Sequence, residues 1–247
     1  MTLPDSLVQS VLAAGLFALT LPASALEVAN PSFELPAGPF SPTGVSTAID
    51  IWQQSPQPDW FDPDSFGVSW DSLSGIFPNA PEGDSRHITN ADGNQVAYFF
   101  AVPQVAISQV LGSTFSADVA YTLTVGLRGG GALTAGSTFL VGLFYLDGAN
   151  PVTVASTPVT ATADYATATA LSEITVQVPA LSAGDPAVGK NIGIQLAVTS
   201  QNGVAGIAYW EADNVRLAAV PEPEDYALVA GAGLLGCAIW RRCRRQS

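Results

Sequence analysis

"YTLTVGLRGGGALTAGSTFLVGLFYLDGANPVTVAST", residues 121–157, decides the fold. Three runs in it, 121–128, 138–146 and 151–157, are rich in Val, Leu, Thr, Phe and Tyr and alternate in polarity, as strands with one buried face do. Arg128-Gly-Gly-Gly131 separates the first two. It lacks the Gly-Lys-Ser/Thr ending and the helix that a phosphate loop needs, so it reads as a turn. Outward from here, "QVAYFFA" (95–101), "EITVQVPA" (173–180) and "NIGIQLAVTS" (191–200) repeat the pattern, with "EVANPSFE" (27–34) and "AYWEADNVRL" (208–217) at the two ends. Eight or more strands at hairpin spacing, with no helical pattern between them, predict an all-β, two-sheet antiparallel sandwich.

Composition agrees. Only 12% of the 247 residues are charged, and 23 glycines and 18 prolines punctuate the chain. The net charge of −13 argues against nucleic-acid binding, which needs a basic face. The cysteines, Cys237 and Cys243, both lie near the C-terminus. The middle therefore has no disulfide, no thiol nucleophile and no cysteine zinc site, and relies on its core for stability.

The two ends read as addresses. Val11–Leu21 is apolar and is followed by Ala23-Ser24-Ala25, a small-x-small cleavage pattern, so residues 1–25 read as a signal peptide. No Lys or Arg precedes the apolar stretch, where Asp5 stands instead. At the other end Tyr226–Trp240 is an uncharged, mostly apolar run. As a helix it would be roughly 22 Å long, short of the ~30 Å hydrocarbon core. Arg241, Arg242, Arg244 and Arg245 follow it and would stay cytoplasmic. Pro221-Glu222-Pro223, the short apolar run and the arginine cluster stand in the order of a PEP-CTERM sorting signal, which this tail resembles. The resemblance implies recognition by an exosortase at Pro221, Glu222 and Pro223, a transient stay in the inner membrane, and delivery to the cell surface or beyond. The expected division is 1–25 leader, 26–218 ectodomain, and 219–247 sorting tail with a transmembrane helix at 226–240.

"NPSFE" (30–34) and "DNVRL" (213–217) are similar to the first and last strands of galactose-binding-like jelly rolls, the architecture of many carbohydrate-binding modules. That resemblance implies a jelly roll with a structural calcium at Glu34 and Asp213, hard oxygen donors from neighbouring strands. The alternative is two carboxylates at strand ends with no ion.

Residues 36–92 break the strand pattern and carry Trp52, Trp60 and Trp70 among many acids. A loop this long is functional or disordered, and its aromatics argue against disorder. The tryptophans offer a platform on which sugar rings could stack, or else the packed underside of the loop. "DPDSFG" (62–67) imitates a calcium loop but has Phe66 and Leu73 where oxygen ligands belong. His87 is the single histidine and sits in a polar Asp-Ser-Arg-His stretch, and no Gly-x-Ser-x-Gly elbow exists. The functional expectation is a non-enzymatic exported protein that holds extracellular polysaccharide. The alternatives are a jelly-roll glycan hydrolase, needing only two carboxylates, and a structural matrix protein with no ligand.

Overall fold

The structure is a computed structural model and describes residues 23–40, 44–200 and 208–221. Its compact unit runs from Ser24 to Val220. The signal-peptide stretch 1–22, the Glu222–Pro223 part of the sorting motif, the apolar run Tyr226–Trp240 and the arginine cluster lie outside the described residues. Among the described residues no helix is long and apolar enough to cross a membrane.

Among the described residues eleven strands form two antiparallel sheets: β1 (Ser24–Leu26), β2 (Gln53–Gln54), β3 (Ser74–Pro78), β4 (Gln95–Phe100), β5 (Ala106–Thr114), β6 (Val119–Gly131), β7 (Thr138–Asp147), β8 (Asn150–Thr160), β9 (Ser172–Val178), β10 (Asn191–Ser200) and β11 (Ala208–Pro221). The first sheet has the order β3-β4-β11-β6-β9, with β1 also paired to β11. The second has the order β2-β5-β10-β7-β8. The expected sandwich is present. Its unit takes in Ser24 and Ala25, the last two residues of the expected leader, which pair with Ala219 and Ala218.

The inner faces meet in one core. Ala97 and Phe99 of β4, Tyr121, Leu123, Val125 and Leu127 of β6, and Trp210 and Ala212 of β11 face Phe139, Val141 and Leu143 of β7 and Ile192, Ile194, Leu196 and Val198 of β10. Phe139 bridges the sheets, with ring centroids 5.2 Å from Phe99 and 5.5 Å from Trp210. Fully burying side chains of this size contributes about 1.5–3 kcal/mol each, so this seam dominates stability.

Three sequence expectations change. "EVANPSFE" is a turn, not a strand, because Asn30 (φ 47°) and Phe33 (φ 54°) are left-handed, and Phe33 drops fully buried into the core. Residues 36–92 are more ordered than a loop: they contain β2, β3 and two short helical turns. Within them "DPDSFG" is a capped turn, with Asp62 accepting from the Asp64 amide (3.1 Å) and Gly67 closing it at φ 70°. Finally, "RGGG" is the last part of β6 and not a turn.

Candidate active site

The functional geometry lies on the outer face of the first sheet. Alternation along β4 sends Ala97 and Phe99 inward and Val96, Tyr98 and Phe100 outward. Along β11 it sends Trp210 and Ala212 inward and Tyr209, Glu211 and Asp213 to the other side. The register sets Tyr209 opposite Phe100 and Glu211 opposite Tyr98. Phe77 of β3 continues the row. Ring centroids run Phe77–Tyr98 6.3 Å, Tyr98–Phe100 5.8 Å and Phe100–Tyr209 6.2 Å, a continuous aromatic wall.

Two glycines make room for that wall. A Cβ on Gly75 would come within 2.7 Å of the Tyr98 hydroxyl, and one on Gly130 within 2.2 Å of the Tyr209 ring. Gly130 of "RGGG" therefore makes room for Tyr209, a role the turn reading missed.

Loops raise the sides. Asn79 exchanges two hydrogen bonds with the Ile88 main chain, and Asn90 two with Leu171, so residues 79–94 are pinned across the sheet. Ile88, Val96 and Leu171 form a small apolar cluster beneath them. The resulting open cleft has a volume of roughly 900 Å³ and is lined by Val45, Val68, Phe77, Tyr98, Phe100 and Tyr209 among others. It continues past Phe77, Arg86 and Tyr209 into a more polar part that reaches Arg128, Glu211 and the Gly129–Gly131 backbone.

Glu211 is the chemical centre of that floor. Its side chain is 2% exposed and ion-paired with Arg128 Nε, while Arg128 Nη1 also donates to the Ala168 carbonyl (2.8 Å). Burial pushes the Glu211 carboxyl above its ordinary value, and Arg128 only partly opposes this. Burial raises the Tyr98 and Tyr209 hydroxyls too, and the nearby Glu211 adds to the effect on Tyr209. A buried carboxyl with a raised pKa beside an aromatic cleft is a candidate for proton transfer.

Asp213, two residues on, behaves differently. Its oxygens accept from the Asp92 amide (2.6 Å) and the Asn214 amide (2.7 Å). Glu34 accepts from the amides of Asn94 and Gln95, both at 2.7 Å, and Ser32 donates to Asp92 (2.7 Å). The structure thus brings Glu34 and Asp213 together as clips on one loop, residues 92–95. Asp213 is pushed up to about 7, first by burial and then by the charges of Asp92 and Glu34. Among the described residues no group of three His, Cys, Asp or Glu side chains is disposed to hold a metal ion.

The tryptophans lie elsewhere. Trp52 is buried, packs with its ring tilted against Phe33 at 5.4 Å and donates to the Asn30 carbonyl (3.1 Å). Trp70 is buried and donates to the Ser55 carbonyl (2.7 Å). Trp60 alone is exposed, edge-on to Phe61, Phe66 and Trp70. None of the three lines the cleft. His87 is half-buried, and its Nδ1 donates to the Ala80 carbonyl (2.6 Å).

Comparison with known proteins completes the description. A cyclase from Fischerella sp. TAU is 20% identical, with a TM-score of 0.59 over 81% of this chain and 98% of that one. The Stig cyclase Fisc from Fischerella sp. TAU, solved in complex with (3Z)-3-(1-methyl-2-pyrrolidinylidene)-3H-indole, is 19% identical with a TM-score of 0.58 over 81% and 99%. A carbohydrate-binding module, TmCBM61, solved with β-1,4-galactotriose, is more distant, at 18% identity and a TM-score of 0.43 over 81% and 100%. No curated protein sequence matches the chain. The family model described as HpiC1-like, HpiC1 cyclase, matches residues 24–218. That match overturns the expectation of a non-enzymatic glycan-holding protein, and with it the hydrolase and structural-matrix alternatives. The cleft residues Tyr98, Tyr209 and Glu211 stand in no catalytic sequence motif. The chain belongs to the HpiC1-like cyclase family.

Proposed function

We propose that this protein closes a ring on an apolar, aromatic substrate held in the cleft, with Glu211 as the group that delivers and recovers a proton. The observation that carries the reading is a buried carboxyl of raised pKa at the foot of an aromatic wall. The balanced reaction is an isomerisation. Glu211 protonates an electron-rich alkene attached to the arene, the cation is sheltered by the faces of Tyr98, Phe100 and Tyr209, and a ring carbon attacks it. The proton then lost from that carbon returns to the carboxylate, so no atom leaves. Arg128 steadies the carboxylate between these steps. The related Fischerella cyclases are solved with indole compounds, which supports an aromatic substrate here.

The test is binding of 4-(1H-indol-3-yl)butan-2-one, the compound held by one of those cyclases. Protein NMR shifts should concentrate at Tyr98, Phe100, Tyr209 and Glu211, and Tyr98→Ala should weaken binding by about tenfold or more. Shifts confined to Trp60 or to the second sheet would move the site away from this cleft.

Two proposals from the sequence stand beside this one. The first concerns place: a leader at 1–25 and a PEP-CTERM-like tail at 219–247 would put the enzyme outside the inner membrane, and the intact mass of protein from its native host tests that. The second is calcium at Glu34 and Asp213. Hard oxygen donors from two segments that the fold brings to one loop support it. An ion that binds only the folded form stabilises it by about 2.7 kcal/mol at a hundredfold excess over Kd. Melting in calcium and in EDTA should then differ by several degrees, and Glu34→Gln should erase the difference.

A further inference from the structure

The described residues contain four Lys and Arg side chains, Arg86, Arg128, Lys190 and Arg216, and two of the four line this cleft. In a chain of net charge −13 cations are scarce, and these two stand at the cleft, each beside one carboxylate, Asp84 and Glu211. The cleft is also two-ended. Val45, Val68, Phe77, Tyr98 and Phe100 make one end apolar. Arg86, Arg128, Thr167, Thr169 and the Gly129–Gly131 backbone make the other polar. Arg86 lines both and so stands at the junction.

Arg86 is held as a fixed fork. Its Nε and Nη2 donate to Asp84 at 3.0 and 2.7 Å, which leaves Nη1 outside that pair, and Asp84 does not line the cleft. Arg128, by contrast, is committed to Glu211 and Ala168. We propose that the substrate is an aromatic compound bearing a carboxylate, its ring on the Phe77–Tyr98–Phe100 wall and its carboxylate on the Arg86 guanidinium. This rests on reading the cleft as the cyclase site. A neutral arene would need no cation at the junction, and a cationic one would be repelled there. A phosphate or diphosphate would call for several free donors, whereas the one guanidinium nitrogen that Asp84 leaves open, Nη1, suits a singly charged group.

The test uses the full-length chain and two nearly isosteric probes. One is the ketone 4-(1H-indol-3-yl)butan-2-one; the other is 3-(1H-indol-3-yl)propanoate, which has a carboxylate oxygen in place of the ketone's methyl group. Calorimetry should show the acid binding about fivefold tighter than the ketone, less so at high salt. In Arg86→Gln that advantage should vanish with the ketone's Kd unchanged. Arg86 is 80% exposed, so this substitution leaves folding intact. Equal or weaker binding of the acid by the wild type overturns this inference and leaves the aromatic cleft standing. An acid advantage that survives in Arg86→Gln overturns the role of Arg86. Binding of neither probe overturns both this inference and the reading of the cleft.

Discussion

Glu211 and Asp213 sit two residues apart on the same side of β11, 2% and 0% exposed, yet their surroundings are opposite in kind. Glu211 faces an arginine and opens on a cleft. Asp213 faces two main-chain amides and lies near two other carboxylates. Burial raises both carboxyls. Only the first opens on the cleft; the second holds the loop that walls the site. One strand thus supplies chemistry and scaffolding from adjacent outward positions, and the difference lies in what the neighbouring elements bring to each.

The largest expected effect breaks the first half of this comparison. Arg128→Met leaves a carboxylate buried without its partner, so urea unfolding should show a loss of about 3–5 kcal/mol. Pairing it with Glu211→Leu should recover most of that. A loss under about 1 kcal/mol would mean that the ion pair with Arg128 contributes little to holding Glu211 in the fold.

Next comes Asp213. Its folded-state value of about 7 stands above its ordinary 3.8, so its contribution is present at low pH and lost as pH rises through that interval. In EDTA the protein should be more stable at pH 5 than at pH 8 by on the order of a few kcal/mol. Asp213→Asn should flatten the slope, although the amide it introduces opposes one of the two donors.

Much of this arrangement was legible beforehand, and the rest was hidden for physical reasons. Six interior strand runs appear close to where alternation put them, and β10 spans the same residues, Asn191–Ser200. β5 went unread because its "AISQVLGST" carries Gln109 at a buried position, where it bonds both the amide and the carbonyl of Ala29. No local pattern reveals a partner 80 residues away. The cleft is hidden in the sequence because the conspicuous tryptophans of residues 36–92 do not line it, and two of them are core. The useful signal was in "QVAYFF": a strand apolar on both faces must be covered on both. "AYWEAD" added acids on its outer face. What covers such a face, and which arginine meets which acid, is set by register between strands far apart in sequence.

A matched pair of glycine substitutions sharpens the comparison further. Gly93 (φ 93°) abuts Glu34, where an added Cβ would lie 2.5 Å from Oε1. Gly93→Ala should cost about 1–3 kcal/mol of stability and leave probe binding unchanged. Gly130→Ala, by displacing Tyr209, should weaken binding of the ketone more than it lowers the melting temperature. The smallest effect is expected at Trp60, which is 46% exposed: Trp60→Ala should shift stability by about 1 kcal/mol or less and leave cleft binding intact.

The most direct test of the account is the rate of ring closure in Glu211→Gln beside Asp213→Asn, on whichever alkenyl arene the wild type cyclises. The account expects Glu211→Gln to lower kcat by about a hundredfold or more with little change in KM. Asp213→Asn should retain kcat at temperatures where it is folded. A Glu211→Gln variant that closes the ring at the wild-type rate would contradict the central claim.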